Sequence, residues 1–96
     1  MPVYLVTSVE VHDRERYKPY TVAGHAAVIH HGGRFLAEGA IPELVEGGWQ
    51  PKRMAIVEFP TREAALPFYN SSDYTAARKL RQSVADFNMV LVQGAG

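Results

Sequence analysis

The chain has 96 residues, of which 47% are apolar and 21% charged, and its 10 Lys and Arg balance 10 Asp and Glu. That length suits one domain, read here as residues 1–96, and the composition excludes intrinsic disorder, which needs low hydrophobicity and high net charge. Zero net charge gives no support to a nucleic-acid or anionic-membrane partner, and the lack of cysteine excludes disulfides, a thiol nucleophile and a thiolate metal site.

In chain order, Val3–Val11 (VYLVTSVEV) is rich in β-branched residues, has no breaker and reads as a strand. Val3, Leu5, Thr7, Val9 and Val11 point one way and Tyr4, Val6, Ser8 and Glu10 the other, so both faces need cover. Asp13 is placed to cap a helix reaching about His31, with Tyr17, Tyr20, Thr21, Gly24, Ala27, Val28 and His31 on one stripe. Pro19 lacks an amide hydrogen and predicts a kink or a short first segment; Gly32 and Gly33 predict a left-handed end. Arg34–Gly39 is a second strand. Ala40–Pro51 is a connector in which Leu44 and Val45 suggest a brief extra strand. Arg53–Phe59 is a third strand, closed by Pro60. Thr61 caps a helix that Pro67 shortens or bends, and a further helix is expected from about Asp73 to Val84. Phe87–Gln93 is the last strand.

Strand, helix, strand, strand, helix, strand is the ferredoxin-like βαββαβ arrangement, an α+β fold. Right-handed crossovers put both helices on one face of a four-stranded antiparallel sheet of order 4-1-3-2. The other face is too apolar to be left in water, and a second copy packed face to face covers it most simply, so a homodimer is expected. No apolar run approaches the ~20 residues of a membrane helix, and Met1–Val9 lacks the basic leader of a signal peptide; a cytoplasmic protein without a membrane partner is expected.

Three stretches carry a resemblance: GGRFLAEG (Gly32–Gly39), VEGGWQPKRMAIVEFP (Val45–Pro60) and FYNSSDYTAARKLRQ (Phe68–Gln82). Their Glu46, Gly47, Trp49, Pro51 and Arg53, then Tyr69, Ser71, Tyr74 and Arg81, resemble the bacterial family called domain of unknown function 1330 across nearly the whole chain. The resemblance implies the dimeric α/β-barrel superfamily, in which two ferredoxin-like sheets pack face to face. That superfamily includes cofactor-free monooxygenases, lactone isomerases, heme-degrading enzymes and plain ligand-binding domains, and it transfers no single reaction here.

Among residues able to carry chemistry, His25, His30 and His31 crowd the end of the first helix. Their spacings of five and six miss the i, i+4 separation of helical ligand pairs, so no metal site is expected. His31 shares the apolar stripe and is the candidate general base, set against a satisfied structural histidine. Tyr20, Tyr69 and Tyr74 are candidate walls of a ligand pocket between helices and sheet, with Arg34 or Arg81 as anchor for a carboxylate. Arg34 and Arg53 have pairing with Glu38, Glu46 or Glu58 as the plainer alternative. Trp49, in the long connector, is expected at the dimer interface. The chain lacks the G-x-x-x-x-G-K-[ST], G-x-S-x-G and G-x-G-x-x-G motifs, and no cofactor is expected. These features favour a small-molecule-binding protein, for which a cofactor-free enzyme acting on a small organic acid or aromatic is one form and catalysis is left open. The alternative is a non-catalytic dimeric module.

Overall fold

The computed structural model describes residues 1–95 and forms strands β1 (Val3–Val11), β2 (Arg34–Ala40), β3 (Arg53–Phe59) and β4 (Ala85–Gln93), with helices α1 (Arg14–His30), α2 (Arg62–Tyr69) and α3 (Ser72–Lys79). The sheet is antiparallel in the order β2-β3-β1-β4, which is the expected 4-1-3-2. β1 is central because it has partners on both edges: Leu5 faces Val57 of β3 and Leu91 of β4, and Thr7 faces Ala55 and Met89.

Local chemistry sets the helix boundaries. Asp13 is extended and its carboxylate accepts from the Arg16 amide at 3.1 Å, while Thr61 accepts from Ala64 and Ser71 from Tyr74 in the same way. Two residues past the end of α1, Gly32 takes a φ of +87°, open to glycine at little steric cost. Pro19 does not divide α1, which is one element over its 17 residues. The connector differs from expectation: Leu44 and Val45 form no strand, and Val45 is 94% exposed. α3 is shorter than predicted. It gives way at Leu80 to turns in which Leu80, Arg81 and Val84 donate to carbonyls three residues back, and Ser83 takes φ +68°. Strand β4 correspondingly starts two residues early, at Ala85.

The core lies between the helices and one sheet face. Val3, Leu5, Val57 and Phe59 from the sheet meet Tyr20, Ala27 and Val28 of α1, Ala65 and Phe68 of α2, and Tyr74 and Ala77 of α3. The molecule is only 16 Å thick along its shortest axis, room for one sheet and one helical layer. The opposite sheet face therefore stays uncovered, with Leu36, Trp49, Val90 and Val92 exposed there or beside it. Among the described residues no helix is long and apolar enough to cross a membrane.

Candidate functional site

Core packing between α1 and the sheet is incomplete, leaving a cavity of about 710 Å³. Its apolar wall comes from the inward sides of alternating strand residues, Leu5, Val9, Val57, Phe87 and Met89, with Val28, Phe35 and Phe68. At its wall, the Tyr20 and Tyr74 hydroxyls stand 2.7 Å apart. Only one of the pair can donate to the other, so one O–H is left to give. Burial, and Tyr74 beside it, push the Tyr20 phenol well above its ordinary range, and burial raises Tyr17 to about 12, so both walls stay neutral. Gly24 makes room for this arrangement: a Cβ there would lie 3.1 Å from the Tyr20 ring one turn earlier on α1.

The exposed part of the lining is polar. It includes Arg14 and Lys18 of α1, Lys52 before β3, and the carboxylates Glu10 and Glu38; half-buried Arg53 joins them from β3. Four cations thus surround the cavity against two carboxylates, and Glu38 is engaged by His25. His25 Nδ1 lies 2.7 Å from Glu38 Oε2, and the imidazole stacks on Phe35 with centroids 4.8 Å apart and planes 3° from parallel. With Nδ1 donating to the carboxylate, Nε2 is the ring nitrogen left without a partner in this pair. This is an oriented acid/base group on the cavity wall.

The structure divides the residues singled out in the sequence. Tyr20 and Tyr74 are brought together on the cavity wall. His31, Arg34, Tyr69 and Arg81 are not among its lining residues. His31 lies eleven residues beyond Tyr20, about 16 Å along the helix axis, and its Nε2 is 2.9 Å from Asp73 Oδ1. Arg34 alternates with Phe35: the phenylalanine takes the inner side, and Arg34 pairs with Glu58 across the strands on the outer side at 2.8 Å. Arg53, on the inner parity of β3, lines the cavity and donates to the Gly39 carbonyl at 3.2 Å. Tyr69 sits outside Tyr74, under the guanidinium of Arg78, which lies 4.3 Å from its ring centre and donates to its hydroxyl at 3.0 Å. Arg81 lies 3.8 Å over the Phe87 ring and 5.2 Å from Tyr20, backing the wall. Trp49 is 69% exposed and lines a shallow depression on the uncovered face with Val6, Met54 and Val90.

Sequence reasoning missed the His25–Glu38 pair because a β-bulge makes it. Phe35 pairs with Val57, but Ala37 pairs with Ile56, so one extra residue in β2 reverses the alternation and turns Glu38 toward the cavity.

The model of the family described as domain of unknown function DUF1330 matches residues 2–95. A protein of unknown function from Rhodopseudomonas palustris has a similar structure, with a TM-score of 0.79 at 18% identity over 99% of this chain and 83% of that one. SnoaB, a cofactor-independent oxygenase from Streptomyces nogalater, gives 0.73 at 12% identity over 99% and 94%. A dimeric protein of unknown function and ferredoxin-like fold from Bacteroides fragilis gives 0.66 at 10% over 97% and 96%. No curated protein matches the chain in sequence.

Proposed function

The chain belongs to the DUF1330 family, and on that premise we propose that it binds a small aromatic acid in the cavity between α1 and the sheet. One observation carries the reading: an apolar cavity of about 710 Å³ holds a hydroxyl pair with one donor to spare and has four cations around it. The apolar wall takes an aromatic body, and the cations favour an anionic substituent. Tyr20 and Tyr74 contact the ligand directly. Arg53 is the inward anchor because it lines the cavity, whereas Arg34 pairs with Glu58 on the outer face and Arg81 lies over the Phe87 ring outside the lining. The copy number proposed is two, with Trp49 and the uncovered sheet face at the interface, in keeping with the dimeric relative from Bacteroides fragilis.

The His25–Glu38 pair favours a further reading, proton abstraction from the bound molecule without a cofactor. Similarity to a cofactor-independent oxygenase is compatible with that chemistry. In this reading His25 replaces His31 as the general base, because His25 lines the cavity and His31 does not.

Calorimetric titration with a panel of hydroxylated aromatic carboxylates, each beside its neutral amide, tests the binding. Saturable binding of an acid, weakened about tenfold or more in Arg53→Ala and in Tyr74→Phe and weaker for the amide, is the expected result. Uniform failure of the panel, with a folded dimer, would favour the non-catalytic module instead. Proton abstraction is tested with a bound acid that carries an acidic C–H, whose proton would pass to His25: deuterium exchange at that carbon should be abolished by His25→Gln while binding persists.

A further inference from the structure

All four histidines of the chain face a carboxylate: His12 faces Asp86 at 3.1 Å, His25 faces Glu38 at 2.7 Å, and His30 and His31 both face Asp73. The last arrangement differs in kind. His30 closes α1 and His31 follows it; Asp73 lies in the first turn of α3, 42 residues on from His31. Packing of α1 on α3 brings His30 Nδ1 to 3.1 Å from one Asp73 oxygen and His31 Nε2 to 2.9 Å from the other. The three donor atoms all lie within 4.8 Å of one another.

We propose that His30, His31 and Asp73 form a site for one zinc ion or a similar late first-row divalent cation, separate from the cavity and independent of its ligand. Two imidazole nitrogens and one carboxylate oxygen are a donor set that suits borderline cations better than magnesium or calcium, and no thiol competes, since the chain has no cysteine. The spacing fits. With Zn–N and Zn–O bonds of about 2.0–2.2 Å, neighbouring ligands of a tetrahedral ion stand about 3.3 Å apart. Each imidazole already stands within a few tenths of an ångström of that distance from one carboxylate oxygen, His31 from Oδ1 and His30 from Oδ2, so the site closes by turning the carboxylate and drawing the two rings together.

The site is also supported from behind. The Tyr74 amide donates to Asp73 Oδ1 at 3.1 Å, and the His31 ring packs edge-on against buried Phe68 at 5.9 Å between centroids. The outer member of the site, His30, is 74% exposed in its side chain. Three protein ligands leave a fourth position for water. The carbonyl end of α1 adds a favourable field for a cation. Spacing along α1 points away from a metal because His25 is counted with the other two; the fold removes His25 to Glu38 and supplies Asp73 from a different helix.

The test is a titration of the chelator-treated full chain with zinc chloride, followed calorimetrically, and with cobalt(II), followed by its visible bands. One saturable equivalent is expected, with the intense visible absorption of a four-coordinate cobalt ion. His30→Ala and Asp73→Asn should each weaken zinc binding at least about tenfold, the scale on which even outer-shell losses act. His12→Ala and His25→Gln should leave it unchanged. Since His30 is exposed, its loss leaves the fold intact, and an unaltered circular dichroism melt without metal verifies this. No saturable uptake overturns the proposal; so does uptake that survives both His30→Ala and Asp73→Asn, or that disappears in His12→Ala.

Discussion

The same four strands present two very different faces. On the helix side Val3, Leu5, Val57 and Phe59 are 5% exposed or less, while on the other side Leu36, Val90 and Val92 are exposed by 46% or more. Both sets are apolar, and strand alternation alone decides which is which. The difference teaches where the fold is self-sufficient. The helix face supplies its own cover and, around Tyr20 and Tyr74, leaves a cavity. The other face has the composition of a core without the cover of one, and that is the physical case for a second copy.

The sharpest way to break this comparison is to remove one large side chain from the covered face. Phe59 is fully buried against Phe68, and Phe59→Ala should destabilise the fold by about 3–5 kcal/mol, read as a lower denaturant midpoint at unchanged slope. The matching change on the other face is Ile56→Asp. In a lone chain a half-exposed carboxylate there is tolerated. In a face-to-face dimer it is buried without a partner, at a cost of several kcal/mol, and sedimentation should report a monomer. A dimer that survives Ile56→Asp would show that the uncovered face is not the interface.

Alkaline pH probes the tyrosines of the cavity wall. Tyr17 and Tyr20 have raised pKa values when folded, because burial disfavours the phenolate. Their contribution to stability is therefore complete below the unfolded value of about 10 and is lost as pH rises through the folded value. Unfolding free energy should fall above pH 10 by about 1.4 kcal/mol per pH unit for each phenol that ionises only when unfolded. Tyr74→Phe isolates the hydroxyl pair. It removes the 2.7 Å bond to Tyr20 and should cost about 0.5–1.5 kcal/mol without ligand.

Much of this was legible in the sequence because breakers and caps mark it. Val3–Val11 is a strand to the residue, Arg53–Phe59 likewise, and Asp13 and Thr61 cap as expected, since each boundary depends on chemistry within a few residues. The sheet order followed from the βαββαβ succession of elements, and crossover handedness put both helices on one face. What escaped were features made by distant partners. No glycine or proline announces the turns after Lys79, where Ser83 takes a positive φ. The bulge that re-aims Glu38 depends on pairing of β2 with β3, and the meeting of His31 with Asp73 depends on how α1 lies on α3. Arg34 was legible in part: its alternation with Phe35 places it opposite an inward aromatic, and Glu58 was one of the partners weighed for it.

Arg34 also gives the smallest and most discriminating test of the two faces. Its guanidinium is 70% exposed, whereas Glu58, which accepts from both its Nε and Nη2, is 25% exposed. For a lone chain the pair is a surface ion pair, and Arg34→Ala should cost about 0.2–1 kcal/mol, less at high salt. If a second copy covers this face, Glu58 loses its water as well as its partner in the variant. The cost then grows, becomes insensitive to salt and depends on protein concentration, because the penalty falls on association and not on the fold. Measuring Arg34→Ala at two protein concentrations and two salt concentrations separates these cases. A small, salt-sensitive and concentration-independent effect would place Glu58 in water and leave the β2 edge outside any interface.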